Sequence, residues 1–314
     1  MQFRIAAYGE VRDENGRLLL TRRSRAGREA APWHLPGGVI DHGEPPASAA
    51  QRLVAEHTGL DVPALRPVET VAVARRGTHT NAIIYRAAVA RGAEGAPAAG
   101  PHGEAVEWVE PARAAREPHS PFVSACLDLA DDRLAGRVDK APTELRPTPP
   151  AKAKKGRRRR GQRFGAYGVV ADAGGRILLA RITEGYPGGG TWHLPGGGVD
   201  FGESPRAAVS REIYEETGQD ARVGALLNVT SFRHRRAIGP EGYPLDWHGV
   251  RAIYSATVDD PSAAQVVEAA GGSTSESRWF ATGALADLPL SAAVEDALQV
   301  VDLTTLEAMP PRAA

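Results

Sequence analysis

The sequence predicts an α/β architecture built twice over: two domains in tandem, each with a mixed β-sheet and few helices. Three observations carry this. A block of sequence recurs at a constant offset. Each copy of the block runs strand, turn, strand, Gly-rich loop, helix and further strands. A stretch that cannot bury a core separates the copies.

The repeat is the firmest of the three. Trp33-His34-Leu35-Pro36-Gly37-Gly38 returns 159 residues later as Trp192-His193-Leu194-Pro195-Gly196-Gly197. The same offset carries Tyr8-Gly9 onto Tyr167-Gly168, Glu44 onto Glu203, Arg52 onto Arg211 and Gly59 onto Gly218. No gap is needed between Tyr8 and Gly59. Downstream the register slips, because Trp108 and Trp279 are 171 apart. The second copy therefore holds about 12 additional residues, which the reading places in the polar and aromatic stretch 232–249.

Local patterns supply the elements. Residues 164–171 and Arg176–Ile182 alternate or run apolar on either side of Asp172-Ala173-Gly174-Gly175, which reads as a hairpin. A helix follows over Pro205–Thr217. Ser204 suits its N-cap, Pro205 its first position, and Gly218 the residue just past its end. A terminal helical pattern covers 292–306. Domains are expected at 1–137 and 163–314. Between them, 138–162 holds four prolines from Pro142 to Pro150, and 151–163 holds three Lys and five Arg without an acid. Such a stretch should be extended or disordered. It serves as a plain solvated linker or as a weak tether for a polyanion.

Composition narrows the function classes. Lys+Arg and Asp+Glu balance at 38 each over 314 residues, so the chain as a whole shows no bias toward nucleic acid. The single cysteine, Cys126, excludes an internal disulfide and a thiolate cluster, and its apolar neighbours make it a core thiol. No stretch approaches the length of a membrane span, and Met1–Ile5 lacks the apolar core of a signal peptide. A cytoplasmic protein without membrane contact is expected.

The chemistry concentrates in 196–219, GGGVDFGESPRAAVSREIYEETGQ. Glu212, Glu215 and Glu216 stand at i, i+3 and i+4, on one helical face. Three like charges repel there, and a hard divalent cation would offset the repulsion. Oxygen donors select Mg²⁺, with Mn²⁺ as a substitute. Glu203 precedes the helix and joins the expected ligand set. Gly196-Gly197-Gly198 lets backbone approach the metal or phosphate oxygens, so Gly196 and Gly197 are expected at the substrate.

These residues resemble the Nudix box, G-x5-E-x7-R-E-U-x-E-E-x-G-U with U a bulky apolar residue. Here it reads Gly197, Glu203, Arg211, Glu212, Ile213, Glu215, Glu216 and Gly218, departing only at Gln219. The resemblance covers both halves outside the linker. It implies an α/β/α sandwich, and hydrolysis of a phosphoanhydride in a nucleoside-diphosphate-linked substrate: a nucleoside triphosphate, ADP-ribose or a nucleotide sugar. It implies that Glu212, Glu215 and Glu216 hold the metal, with Glu203 in support, and that Arg211 orients a glutamate. Glu212 and Glu276 are the two candidates for general base. Stretch 229–239 contains neither the Pro nor the Tyr that mark two substrate classes of the family, so the substrate stays open.

In the first copy Gly38, Glu44, Arg52, Glu56, Gly59 and Leu60 match the box, but Leu53 and His57 replace two carboxylates. A structural or regulatory copy is expected, with weak activity or ligand sensing as alternatives. By analogy with dimeric relatives it could stand in for a partner subunit, giving a pseudo-dimer within one chain, or the chain could form a homodimer. Three further groups are singled out. His34 and His193 are read as structural hydrogen-bonding groups. Trp33 and Trp192 are read as core or rim, with base stacking the alternative. Arg233 and Arg235, with His234, Arg236, Tyr243, Trp247 and His248, are read as a loop that contacts phosphate and base or is simply solvated. The competing function class is a nucleotide-sensing regulator that uses the fold to bind; a diphosphate isomerase is third.

Overall fold

The computed structural model describes residues 1–23, 31–62, 65–88, 104–128, 159–238, 244–267 and 272–300. Two compact units emerge. The first is Met1–Arg163 with Phe201–Ser204 and Ser231–Val250; the second is Phe164–Asp200, Pro205–Thr230 and Arg251–Ala314.

The first copy comprises β1 (Gln2–Arg12), β2 (Leu18–Arg23), β3 (Gly37–Val39), α1 (Pro46–Thr58), β4 (Arg66–Arg75), β5 (Thr78–Ala88), β6 (Glu104–Val109), α2 (Pro111–Arg116) and α3 (Pro121–Cys126). Its sheet runs β4-β5-β1-β2-β6, with β3 also on β1. The β1–β5 pair is parallel and the other pairs antiparallel, so the sheet is mixed. Alternation along β1 sends Gly9 toward Val54 of α1 and Tyr8 onto Phe122 of α3, whose rings stack at 4.4 Å. The sheet therefore lies between helices.

The second copy comprises β7 (Arg159–Asp172), β8 (Arg176–Ile182), β9 (Trp192–His193), β10 (Gly196–Gly198), α4 (Pro205–Thr217), β11 (Arg222–Ile238), β12 (Pro244–Val258), β13 (Thr274–Ala281), a 3-10 turn (Thr282–Asp287) and α5 (Ala292–Val300). Its sheet runs β11-β12-β7-β8-β13, with β10 on β7 and β9 on β8. Gly168 of β7 faces Ile213 and Val209 of α4. Its neighbours Val169 and Ala171 pack on the other face with Val294 and Ala297 of α5. This is the expected α/β/α sandwich. Leu178 and Leu179 are fully buried in β8, and the core thiol Cys126 is buried in the first copy, where desolvation pushes its pKa up.

The hairpin forms where the turn residues place it. Asp172 accepts the N–H groups of Gly174 and Arg176 at 3.0 and 2.8 Å and pairs with the Arg176 guanidinium. Asp13 does the same for Asn15 and Arg17. The added length of the second copy lies in longer paired strands: β11 and β12 have 17 and 15 residues, against 10 and 11 in β4 and β5. Two expectations change. Residues 159–162, assigned to the linker, belong to β7, because a strand partner offsets the cost of extending them; the rest of 138–162 lies outside the described residues. The terminal helix spans Ala292–Val300, and 301–306 lies outside the described residues as well. Among the described residues no helix is long and apolar enough to cross a membrane.

Candidate active site

Helix α4 presents the box. Pro205 opens it, and Gly218 closes it at φ 69° with its N–H on the Tyr214 carbonyl at 2.8 Å. Pro205, Ala208, Val209, Ile213, Glu216 and Thr217 form its buried side. Glu216 thus points inward, while Glu212 and Glu215 lie at the rim with 16% and 40% of their side chains exposed.

Strand β10 brings the glycines to the helix. It pairs with β7, setting Gly196 against Tyr167 and Gly197 against Ala166. Gly196 has φ 146°, and a Cβ there would lie 2.4 Å from the Ala166 carbonyl, so only glycine fits. A Cβ on Gly197 would lie 2.5 Å from Glu212 Oε1. Gly197 therefore keeps clear the space in front of the Glu212 carboxylate.

Arg211 and Glu216 organise the rest. Arg211 Nη1 donates to Glu212 Oε1 at 2.9 Å and Glu215 Oε2 at 3.0 Å, and Nη2 donates to the Gly198 carbonyl at 3.1 Å. Two carboxylates thus converge on one cationic nitrogen. Glu216 Oε2 accepts the Gly196 N–H at 2.9 Å, and Oε1 accepts the Thr274 hydroxyl at 2.5 Å. The box glutamates share the helix but divide their tasks: one ties α4 to β10 and β13, and two face the rim. Among the described residues no three carboxylates, imidazoles or thiols form a ready-made ligand set. The donors nevertheless suit a hard divalent ion. They are carboxylate oxygens, two already meet at a positive charge, and a glycine leaves the space beside them open.

Glu203 lies in the turn before α4, partly buried. Glu276, on β13, is paired with Arg278 and lies 3.8 Å from Arg181 Nη1. Arg233 donates to both Asp246 oxygens at 2.9 and 2.6 Å, and Arg235 is exposed on the same strand; both belong to the first compact unit, whereas Glu212, Glu215 and Glu216 belong to the second. Stretch 232–238, read as a loop, is strand. His193 Nδ1 lies 2.6 Å from Ser291 Oγ, and burial, then the charge of Arg251, lowers its pKa to about 4. Trp33 and Trp192 are buried in the cores. Thr274 and Ser291 had no sequence signal, because their roles depend on how β13 and the segment before α5 return to the sheet.

The first copy shows what its substitutions do. His57 takes the place of Glu216, its Nδ1 accepting the Gly37 N–H at 3.4 Å. Leu53 takes the place of Glu212 and is buried, and a Cβ on Gly38 would lie 3.9 Å from it. Arg52 donates to Glu44 twice at 2.8 Å and to Glu56 at 3.2–3.3 Å. The Arg52 bonds hold the Glu44 carboxyl below the usual range. The scaffold of the box survives here, while the pair of converging rim carboxylates does not.

Comparison with known proteins identifies the family of both copies. The NUDIX domain family matches residues 2–128 and 161–301. The chain is 42% identical over 62 residues to a MutT-like protein of Streptomyces ambofaciens, covering 20% of this chain and 38% of that protein. It is 43% identical over 65 residues to a putative 8-oxo-dGTP diphosphatase of Bacillus subtilis (strain 168), covering 21% and 41%. The matched stretch thus spans about two fifths of these relatives' length. A solved structure, the MutT NUDIX hydrolase from Burkholderia pseudomallei, is 32% identical with a TM-score of 0.34, covering 45% of this chain and 98% of that chain. With two matches that together span most of its length, the chain belongs to the NUDIX domain family.

Proposed function

We propose that the second copy hydrolyses a phosphoanhydride bond in a nucleoside-diphosphate-linked substrate, and that Mg²⁺ or Mn²⁺ is its cofactor. The observation that carries this reading is the convergence of Glu212 and Glu215 on Arg211 beside Gly197. Glu212, Glu215 and Glu216 would hold the metal, with Glu203 in support. When bound, the ion neutralises diphosphate oxygens that would otherwise repel an incoming nucleophile. The chain's own groups do the rest. Arg211 fixes the two rim carboxylates in one orientation. Glu216 anchors the helix to the glycine strand, so the Gly196–Gly198 backbone keeps a fixed distance from the reacting group. Glu212 accepts a proton from the attacking water as the new P–O bond forms and the bridging P–O bond breaks. The position of Glu212 against Gly197 of the glycine strand favours it over Glu276 in that role.

The substrate class is tested by release of phosphate or pyrophosphate from a panel of oxidised and ordinary nucleoside triphosphates, ADP-ribose and nucleotide sugars. Oxidised guanine nucleotides belong in it because one relative is named a putative 8-oxo-dGTP diphosphatase. Turnover should require Mg²⁺ or Mn²⁺ and vanish on chelation. Turnover that survives chelation and responds only to Zn²⁺ would refute the carboxylate site. Binding of one panel member without turnover would favour a nucleotide-sensing role.

A further inference from the structure

The long strands of the second copy carry a feature that hydrolysis does not use. In sheet order β11, β12 and the start of β7 are neighbours. Glycines fix which side chains share a face. A Cβ on Gly249 would meet the Phe232 ring at 2.2 Å, and one on Gly161 would meet the Trp247 ring at 2.5 Å. Alternation then sets Arg159, Arg163, Phe232, His234, Arg236 and Trp247 on one face. Arg163, Phe232, His234 and Arg236 are exposed, Phe232 by 37%, and Trp247 is half-buried. The one carboxylate in these described segments, Asp246, lies on the opposite face, where it pairs with Arg233. The face thus combines guanidinium groups on β7 and β11 with the aromatic rings of Phe232 on β11 and Trp247 on β12. All of it lies within the first compact unit.

We propose that this face binds single-stranded nucleic acid. The cations match a phosphate backbone, and releasing its counterions supplies affinity. The rings match unstacked bases, each of which offers a π-face. A duplex keeps its bases stacked and withholds them from the rings. An acidic peptide would use the arginines and leave the rings idle. The overall charge balance hid this surface, since it counts charges over the whole chain and not over these three strands.

The test uses the full chain and a fluorescently labelled oligouridylate of about 12 nucleotides, followed by anisotropy across a salt series. The single strand should bind at low salt and more tightly than a duplex of the same length. Arg163→Ala with Arg236→Ala should weaken binding at least about tenfold and reduce the salt slope by about 1.4, two phosphate contacts' worth. Phe232→Leu should weaken it about fivefold or more with the slope unchanged, because a lost stack releases no counterion. Melting temperature and small-substrate turnover should stay at the parent values, since these side chains are exposed and outside the glutamate site. Any of three results overturns the proposal: no binding at low salt, equal binding of duplex, or a loss seen only when Lys152, Lys154 and Lys155 are replaced.

Discussion

Gly197 and Gly38 occupy the same place in the two copies and differ in what a methyl group would meet. At Gly197 it would press on the Glu212 carboxylate at 2.5 Å; at Gly38 the nearest side-chain atom is 3.9 Å away on Leu53. Neither has a positive φ, so alanine is tolerated by the backbone at both positions. Gly197→Ala should therefore lower kcat/KM by roughly tenfold or more, the effect of displacing a reacting group by a fraction of an ångström. Gly38→Ala should leave it within about twofold, like most substitutions that touch nothing special. Steady-state kinetics on both variants checks this; equal losses would show that the glycine matters only for folding. At this scale the sequence was legible where spacing decides. The i, i+3, i+4 glutamates and the matching arginine were readable. The inward turn of Glu216 was not, because it depends on Thr274 reaching it from a strand 58 residues away.

Helix α4 was legible from end to end, because Pro205 and Gly218 punctuate it by backbone chemistry alone. The same held for the Asp172 hairpin. Strands β11 and β12 were harder, since a polar, arginine-rich stretch resembles a loop until a paired strand satisfies its backbone. Strand β9 carries a pH prediction. His193 is held neutral, with its pKa lowered to about 4 by burial and then by Arg251. Above about 6.5 the histidine is neutral in folded and unfolded chains alike, and pH has no effect through it. Below that value the unfolded chain takes up a proton and the folded one does not, so stability falls as pH drops from about 6.5 toward 4. His79 and His248 are shifted the same way, chiefly by burial, and add to the slope. Thermal melting across that range should show a shallower loss for His193→Gln than for the parent. An unchanged slope would mean that His193 is accessible to protons in the folded state.

In the whole molecule, one duplicated scaffold carries two different sets of box residues. The repeat and the linker composition made the tandem organisation readable, whereas the grouping of 201–204 and 231–250 with the first compact unit had no sequence signature. The basic stretch offers a control. Replacing Lys152, Lys154 and Lys155 by Ser should leave small-substrate turnover within about twofold, since the proposed site draws on none of them; a larger loss would tie the linker to catalysis. The division of labour between copies is tested most directly by a matched pair. Glu215 and Glu56 each form an i,i+4 pair with the box arginine, at 3.0 and 3.2 Å, and each side chain is 40–49% exposed. An exposed pair of this kind adds roughly 0–1 kcal/mol to stability, so neither Gln variant should unfold the chain. The decisive measurement is kcat/KM with Mg²⁺ for Glu215→Gln and Glu56→Gln on whichever panel substrate is turned over. Glu215→Gln should reduce it on the order of 100-fold, about 3 kcal/mol of transition-state stabilisation, with Glu56→Gln near the parent value. A collapse in Glu56→Gln with Glu215→Gln fully active, both well folded, would contradict the assignment of catalysis to the second copy.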